Sequence, residues 1–140
     1  YRVSEHWQTG VLTRWCPWLA EMQPGMFVEI GEELAKEKGI ASGDRCIVSS
    51  ACGEVEAMAI VTPRFKPFTI DGNPIHQIGI PWHFGWITTK DRVYNPGDKK
   101  AEVFTHGDSA NLLVPTIGDP NTMIPESKAF MANVMKKGGK

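Results

Sequence analysis

Residues 5–14 combine side chains that suit contact with a polar, anionic and ring-bearing ligand. Gly10 permits close approach of a ligand to the backbone, and Arg14 can form a bidentate contact with a phosphate or with the edge of a planar ring. The other members of the set are the aromatic His6 and Trp7, the amide Gln8, and the hydroxyls Thr9 and Thr13. The segment therefore predicts a ligand-binding loop. An ordinary polar turn before a buried strand is the alternative.

A second candidate lies at residues 81–86, where four rings occur within six positions. Trp and His beside a glycine line cavities more often than they fill a dry core. We therefore expect His83 to contact a ligand or the mouth of an active site, with core filling as the alternative. A metal site is not expected here, because a single histidine lacks further ligands. His76 lies in an apolar run and is expected to be a core or interface histidine.

Composition limits the class of protein. The chain has 140 residues, 41% hydrophobic content and a formal net charge of −1. These values predict one folded domain, or one domain with an arm, and the lack of a basic excess argues against a duplex nucleic-acid binder. No apolar run reaches the ~20 residues that a membrane helix needs, and residues 1–4 do not read as a signal peptide. Because the chain opens without Met, we expect it to be part of a larger polypeptide.

Cysteine usage gives no sign of a metal centre in this chain. Cys16, Cys46 and Cys52 do not form a C-x-x-C pair, so neither an iron–sulfur cluster nor a structural zinc site is expected. Cys46 precedes Ile47 and Val48, and we expect it to be a small apolar core residue.

Apolar and polar residues alternate in several short runs, which predicts a mostly β chain. Strands are predicted at residues 26–30, 45–49, 54–62, 75–80 and 129–134, a short helix at 31–38 and a hairpin turn at 50–53. Residues 1–24 are expected to form an extended start and a loop, and residues 81–104 an irregular excursion. Gly39 is expected in the left-handed position that ends the helix, where Ile40 can fold back onto Leu34 or Ala35. These elements indicate a small β-barrel with a helical insertion.

Three polar segments together resemble a known family. They are His-Trp-x-Thr-Gly-x-x-Thr-Arg at 6–14, Gly-Asp-Ser-Ala-Asn-Leu-Leu at 107–113 and Pro-Glu-Ser-Lys at 125–128. They resemble the C-terminal cofactor-binding domain of molybdenum or tungsten oxidoreductases of the dimethylsulfoxide reductase superfamily, and look most like the formate dehydrogenases. The resemblance spans residues 4–134 and implies a double-psi β-barrel with one or two short helices and a long loop insertion.

Two departures from the superfamily pattern accompany this resemblance. The insertion between Trp86 and Gly107 is longer than in members such as the periplasmic nitrate reductases, and suits the larger formate dehydrogenases. Cys52 occupies a hairpin tip where a basic residue is expected. Neither departure falls in the polar segments.

The resemblance also implies a set of cofactor contacts. Binding of the pterin and phosphates of a molybdopterin guanine dinucleotide is implied for His6, Trp7, Gln8, Thr9, Gly10, Thr13 and Arg14. Asn111 is implied to contact the pterin, whose mixed donor and acceptor edge an amide can pair. Ser127 and Lys128 are implied to contact the dinucleotide, with Lys128 supplying a positive charge near an anionic ligand. His83 joins this set as a cofactor-contact candidate. The alternatives are an Asn-capped turn at Asn111 and an exposed loop lysine at Lys128.

The implied activity is oxidation of formate to carbon dioxide, with electrons passing through the pterin to iron–sulfur centres. The cofactor is a bis-molybdopterin guanine dinucleotide whose molybdenum or tungsten is held by other domains, and this chain is expected to hold no catalytic residue and no metal ligand. Implied partners are the remaining domains of the large subunit and an iron–sulfur electron-transfer subunit. No nucleic acid and no direct membrane span are expected.

Two alternatives remain open at this point. One is the same domain of a nitrate or polysulfide reductase, and the other is a non-enzymatic double-psi barrel that recruits protein partners. The domain is expected at residues 1–134, followed by a basic flexible tail at 135–140. A periplasmic or cytoplasmic location is expected, with the periplasm slightly favoured. Residues 6–14, Asn111 and Lys128 are expected to meet on one face of the barrel.

Overall fold

The computed structural model describes residues 6–13, 16–85, 87–89, 103–105, 107–125 and 127–138. Their regular structure is mostly β, as the sequence predicts, with few and short helices. The helices are α1 (Pro17–Met22), α2 (Glu32–Lys38) and a 3-10 turn at Ala110–Leu112. The strands are β1 (Phe27–Gly31), β2 (Arg45–Ser49), β3 (Glu54–Thr62), β4 (Phe68–Ile70), β5 (Asn73–Ile75), β6 (Ile78–Gly79), β7 (Ile87–Thr89), β8 (Val103–Thr105) and β9 (Asn133–Lys136).

A mixed sheet of five strands, in the order β6-β1-β3-β2-β9, carries the fold. β1 runs parallel to β3, and the other neighbours are antiparallel. The predicted hairpin between β2 and β3 is confirmed: Ser49 lies opposite Glu54, and the Ser50 N–H donates to the Gly53 carbonyl at 2.8 Å. The parallel pair of β1 and β3 is possible because α2 and β2 lie between them in the chain.

The strand-to-helix unit at β1 and α2 follows its local signals. Glu32 and Glu33 occupy the first turn of α2, where acidic residues stabilise the positive helix end. Gly39 ends the helix at φ 63 and donates to Lys36, while the Ile40 N–H donates to the Ala35 carbonyl at 2.8 Å. This pair of bonds is a Schellman motif, and Ile40 is buried in the core with Ala35, as predicted.

The core lies against the central strands of the sheet. Its fully buried side chains include Val28, Ile30, Cys46, Val48 and Ala57. Along β3 the burial alternates with the predicted period of two, since Val55, Ala57 and Ala59 are buried and Met58 is exposed. Cys46 is a core residue, as predicted, and its burial raises the pKa of the thiol.

Several predicted boundaries are wrong. Residues 75–80 do not form one strand, because β5 pairs with β4 and β6 pairs with β1. The β4–β5 hairpin turns at Asp71 and Gly72, which have φ of 49° and 80°. This Asp-Gly turn is a strong sequence signal for a hairpin, and it was missed. The irregular excursion predicted at 81–104 contains β7, which pairs with β8 from Ile87 opposite Thr105.

The two ends of the chain also differ from the prediction. The expected loop before residue 24 contains α1, which has Pro17 at its first turn, a position where proline's missing N–H costs nothing. The closing strand lies at Asn133–Lys136 and not at residues 129–134, so the predicted tail begins inside the sheet. No helix among the described residues is long and apolar enough to cross a membrane.

Candidate functional site

The loop at residues 6–13 is folded tightly on itself. The Gly10 N–H donates to the Trp7 carbonyl at 2.8 Å, and the chain turns through left-handed conformations at Gln8 (φ 51) and Gly10 (φ 78). The Thr13 hydroxyl accepts from the Trp7 N–H at 3.1 Å and lies 3.2 Å from His6 Nδ1. Thr13 therefore closes the loop, while the side chains of Trp7, Gln8 and Thr9 are exposed.

The aromatic segment, residues 81–85, packs under this loop. His83 is 3% exposed, and its Nε2–H donates to the Gln8 carbonyl at 2.5 Å. A Cβ added to Gly10 would lie 3.2 Å from the His83 Cβ, so the backbone of the loop touches this side chain. His6, also 3% exposed, packs its ring 5.9 Å from the rings of His83 and Phe84. Two distant parts of the sequence thus share one small aromatic cluster.

His6 leaves one polar atom unsatisfied in this cluster. Its Nε2 is buried and has no hydrogen-bond partner among the described residues. A buried donor or acceptor without a partner is unfavourable, and such atoms concentrate at functional sites.

The far end of the aromatic segment contacts the asparagine segment, residues 107–113. A Cβ added to Gly85 would lie 2.6 Å from the Ser109 Cβ, and Gly85 has φ 94. The Ser109 hydroxyl accepts from the Asn111 N–H at 3.3 Å and caps the 3-10 turn. Ser109 is thus the capping residue, which leaves the exposed side chain of Asn111 available. The segment is anchored by Leu113, whose carbonyl accepts from the Ser50 hydroxyl at 2.8 Å.

A large cleft of about 1300 Å³ holds the last candidates. Ser127 and Lys128 line it together with Trp82 of the aromatic segment and Ala110 of the asparagine segment. His76 lies at the same cleft, and its Nε2 is 3.6 Å from a carboxylate oxygen of Glu37. His76 is half-buried and not a core residue, and its place at an interface stays a prediction.

The aromatic segment joins all the described candidates. It contacts loop 6–13 through His83, the asparagine segment through Gly85, and the cleft of Ser127 and Lys128 through Trp82. Arg14 lies outside the described residues. The described residues connect loop 6–13 with the cleft of Lys128 through this segment, and their meeting on one face stays a prediction.

The donors needed to bind a ligand are available. Within the described part of the chain, the side chains of Gln8, Thr9, Asn111 and Lys128 are exposed and have no hydrogen-bond partner. The described part of the chain contains no group of three or more His, Cys, Asp or Glu that could hold a metal ion. The arrangement thus offers amide, hydroxyl and ammonium groups to a polar ligand with negative charge.

Sequence reasoning missed two residues that shape this site. Ser109 carries a capping signal, since serine is a preferred capping residue. Gly85 is a glycine among large rings, which indicates close approach of another backbone. Trp82 lines the cleft, in line with the interpretation that Trp and His beside a glycine line a cavity.

Comparison with known proteins defines the class. The chain matches the family model of the Molydopterin dinucleotide binding domain over residues 1–131, and it belongs to this family. Among curated relatives it is similar to the formate dehydrogenase subunit alpha of Megalodesulfovibrio gigas, with 52% identity over 97% of this chain and 12% of the relative. It is also similar to the nitrate-inducible formate dehydrogenase major subunit of Escherichia coli, with 40% identity over 97% of this chain and 12% of that relative.

A solved structure gives the fold. The acetylene hydratase from Pelobacter acetylenicus superposes with a TM-score of 0.66 and 14% identity, covering 97% of this chain and 17% of that chain. This similarity concerns the fold alone. The chain spans about 12% of the length of the curated relatives named above.

Proposed function

We propose that this chain is the molybdopterin guanine dinucleotide-binding domain of the large subunit of a formate dehydrogenase. The relatives support the assignment, because curated relatives at 40–52% identity are alpha or major subunits of formate dehydrogenases. The family match favours this reading over an interaction module without a cofactor. The finer fold is a double-psi barrel, which the parallel pairing of β1 with β3 around α2 supports.

The observation that carries the proposal is the set of contacts made by the aromatic segment. One run of five residues, 81–85, contacts loop 6–13, the asparagine segment and the cleft of Lys128. These segments are far apart in sequence, and their packing around one aromatic segment supports a shared ligand for the polar groups that they expose. The proposal thus depends on geometry as well as on residue types.

The chemistry of the free donors fits the cofactor. Amides at Gln8 and Asn111 can pair with the mixed edge of a pterin, and Thr9 can donate to a phosphate oxygen. Arg14 and Lys128 supply positive charge for the pyrophosphate, Arg14 with a bidentate geometry that lysine lacks. Ser127 adds a hydroxyl, while Thr13 and the buried Gly10 shape the loop through Trp7, His6 and His83. The unsatisfied Nε2 of His6 is a further polar atom at this loop.

The metal of the cofactor supplies the two-electron redox chemistry when the cofactor is bound. The residues of this chain bind and orient the dinucleotide and exclude water from it, while other domains hold the metal. The partners in this proposal are the remaining domains of the large subunit and an iron–sulfur electron-transfer subunit. A periplasmic or cytoplasmic location of the assembled enzyme, with the periplasm slightly favoured, remains part of the proposal.

The test is cofactor content in the full-length parent protein. Removing a charged donor from a buried anion costs roughly 2–5 kcal/mol and removing a neutral hydroxyl roughly 1–3 kcal/mol. At about 1.4 kcal/mol per tenfold change in affinity, Arg14→Ala should lose more cofactor than Thr9→Ala, and Lys128→Ala should also lose cofactor. The measurement is pterin and metal per folded protein, together with formate turnover.

The matched control is Lys36→Ala, which removes an exposed lysine from α2. It should keep full cofactor content and turnover. Full occupancy and unchanged turnover in Arg14→Ala would refute the assignment of loop 6–13, and with it most of the proposal.

A further inference from the structure

The loop that carries most of the candidate contacts has an unfavourable backbone. Gln8 is a non-glycine residue at φ 51, in the left-handed region that such residues rarely adopt. Two positions later Gly10 takes φ 78. A turn of this kind persists only where neighbouring groups hold it, because the free chain prefers other conformations.

His83 is the group placed to hold it. Its Nε2–H donates to the carbonyl of Gln8, the residue with the unfavourable φ, and its Cβ fills the space where a side chain at position 10 would stand. The ring is 3% exposed, so it faces the underside of the loop and not solvent. The exposed side chains of Gln8 and Thr9 belong to the same turn.

His6 supports the same loop from its first residue. Its Nδ1 lies 3.2 Å from the Thr13 hydroxyl, and its ring packs 5.9 Å from the His83 ring and 5.9 Å from Phe84. The two histidines therefore connect the start, the turn and the end of loop 6–13 to the aromatic segment.

We propose that His83 is a positioning residue that holds loop 6–13 in its binding conformation through the Gln8 carbonyl, and does not itself contact the cofactor. The part of this inference that concerns cofactor rests on the proposed function. Fixing a loop in its bound shape beforehand lowers the entropy lost on binding, so removing the bond should weaken binding without removing any contact.

The test compares two substitutions in the full-length parent protein. His83→Phe keeps a ring beside His6 but cannot donate to Gln8, whereas the side-chain amide of His83→Gln can donate from a similar position. In cofactor-free protein, we expect His83→Phe to speed amide hydrogen exchange at residues 7–13 by about tenfold, the effect of one hydrogen bond. In loaded protein, cofactor dissociation should accelerate by a similar factor. His83→Gln should restore both rates towards those of the unmodified protein.

Two controls separate positioning from general damage and from direct contact. Val48→Ala creates a cavity in the core and should lower thermal stability without changing exchange at residues 7–13. Thr9→Ala removes a proposed contact and should speed cofactor dissociation without changing exchange in the loop.

The outcomes distinguish this inference from the function that it rests on. Faster exchange in His83→Phe with unchanged cofactor dissociation would support the positioning role and count against cofactor binding by the loop. Unchanged exchange in His83→Phe would overturn the inference, whether or not cofactor is lost. Failure of His83→Gln to restore exchange would overturn it as well.

Discussion

Gly85 is a residue at which the aromatic segment lies close against the asparagine segment. It has φ 94, and an added Cβ would lie 2.6 Å from the Ser109 Cβ and 2.7 Å from its Cα. Atoms of the backbone cannot move aside as the end of a flexible side chain can. A side chain at position 85 would therefore push Ser109, and with it the capped turn that presents Asn111, away from the rest of the site.

Gly85→Ala should destabilise the protein and lower its cofactor content. Overpacking typically costs about 1–3 kcal/mol, in addition to the strain of alanine in the left-handed region. Gly43→Ala is the matched control, because Gly43 has φ 92 and an added Cβ would meet nothing within 4 Å. We expect a larger drop in the thermal unfolding midpoint for Gly85→Ala, and loss of pterin only there. Equal effects of the two substitutions would show that backbone strain, and not the approach to Ser109, matters.

The residue types of the site could be predicted, but the packing that organises them could not. Thr9, Arg14 and Lys128 stand out because their side chains suit an anionic ligand wherever the backbone places them. The contact of Gly85 with Ser109 and the bond of His83 to Gln8 join residues far apart in the chain. No local pattern encodes such pairs, so the sequence predicts neither contact, and the ligand contact expected for His83 stays untested by them.

Among the elements, β9 is held to the sheet by charges as well as by backbone pairing. Lys136 donates to Asp44 at 2.8 Å and Lys137 to Glu56 at 2.5 Å. The bond from Lys136 holds the pKa of Asp44 below its usual value, and the bond from Lys137 does the same for the pKa of Glu56. The charged forms of both carboxylates therefore stabilise the folded protein.

The sign of the resulting pH dependence follows from linkage. A carboxyl whose pKa is lowered by folding stabilises the protein above its unfolded pKa, and this contribution is lost as pH falls through the folded value. We expect stability to fall as pH is lowered from about 5, just above the usual carboxyl pKa, and Asp44→Asn to reduce that dependence. Glu33→Gln, on the exposed side of α2, is the control and should retain the full pH dependence of stability. The measurement is the denaturant midpoint of each protein as pH is lowered. If Asp44→Asn and the unmodified protein lost stability in parallel, Asp44 would not contribute to the pH dependence.

Elements with strong local signals were predicted well. The helix α2 follows from its acidic first turn and Gly39, and the β2–β3 hairpin from alternation on both sides of a short turn. The run at residues 75–80 was predicted as one strand because its apolar pattern is continuous. The run forms two strands, because β5 pairs with β4 and β6 pairs with β1. Such pairing is set by tertiary structure and not by the local sequence. The position of β9 likewise depends on its pairing with β2.

At the scale of the whole molecule, large apolar side chains remain on the surface. Trp7, Leu12, Trp18 and Met131 are each 66–79% exposed. Exposed apolar surface of this kind commonly marks an interaction site. Because the chain spans about 12% of its relatives, we expect the rest of the parent protein to cover these side chains.

The isolated chain should therefore bind a hydrophobic dye more strongly than the parent protein does, and should not reduce an artificial acceptor with formate. The physical reason for the second expectation is that the metal of the proposed cofactor is held by other domains. The measurements are dye fluorescence and formate-dependent acceptor reduction, with the full-length protein as the positive control for turnover. Formate-dependent reduction by the purified chain alone would disprove the expectation that other domains hold the metal.

The bond from His83 to Gln8 also bears on when the site can exist. It closes a segment of 75 residues, and the bond from Ser50 to Leu113 closes one of 63. Contacts between positions so far apart form late, since the entropy of closing long loops must be overcome before they contribute. During synthesis, loop 6–13 therefore leaves the ribosome long before the residues that shape it. A ligand that needs this loop in its folded shape can therefore bind only after the residues up to position 113 have been made and these long-range contacts have formed.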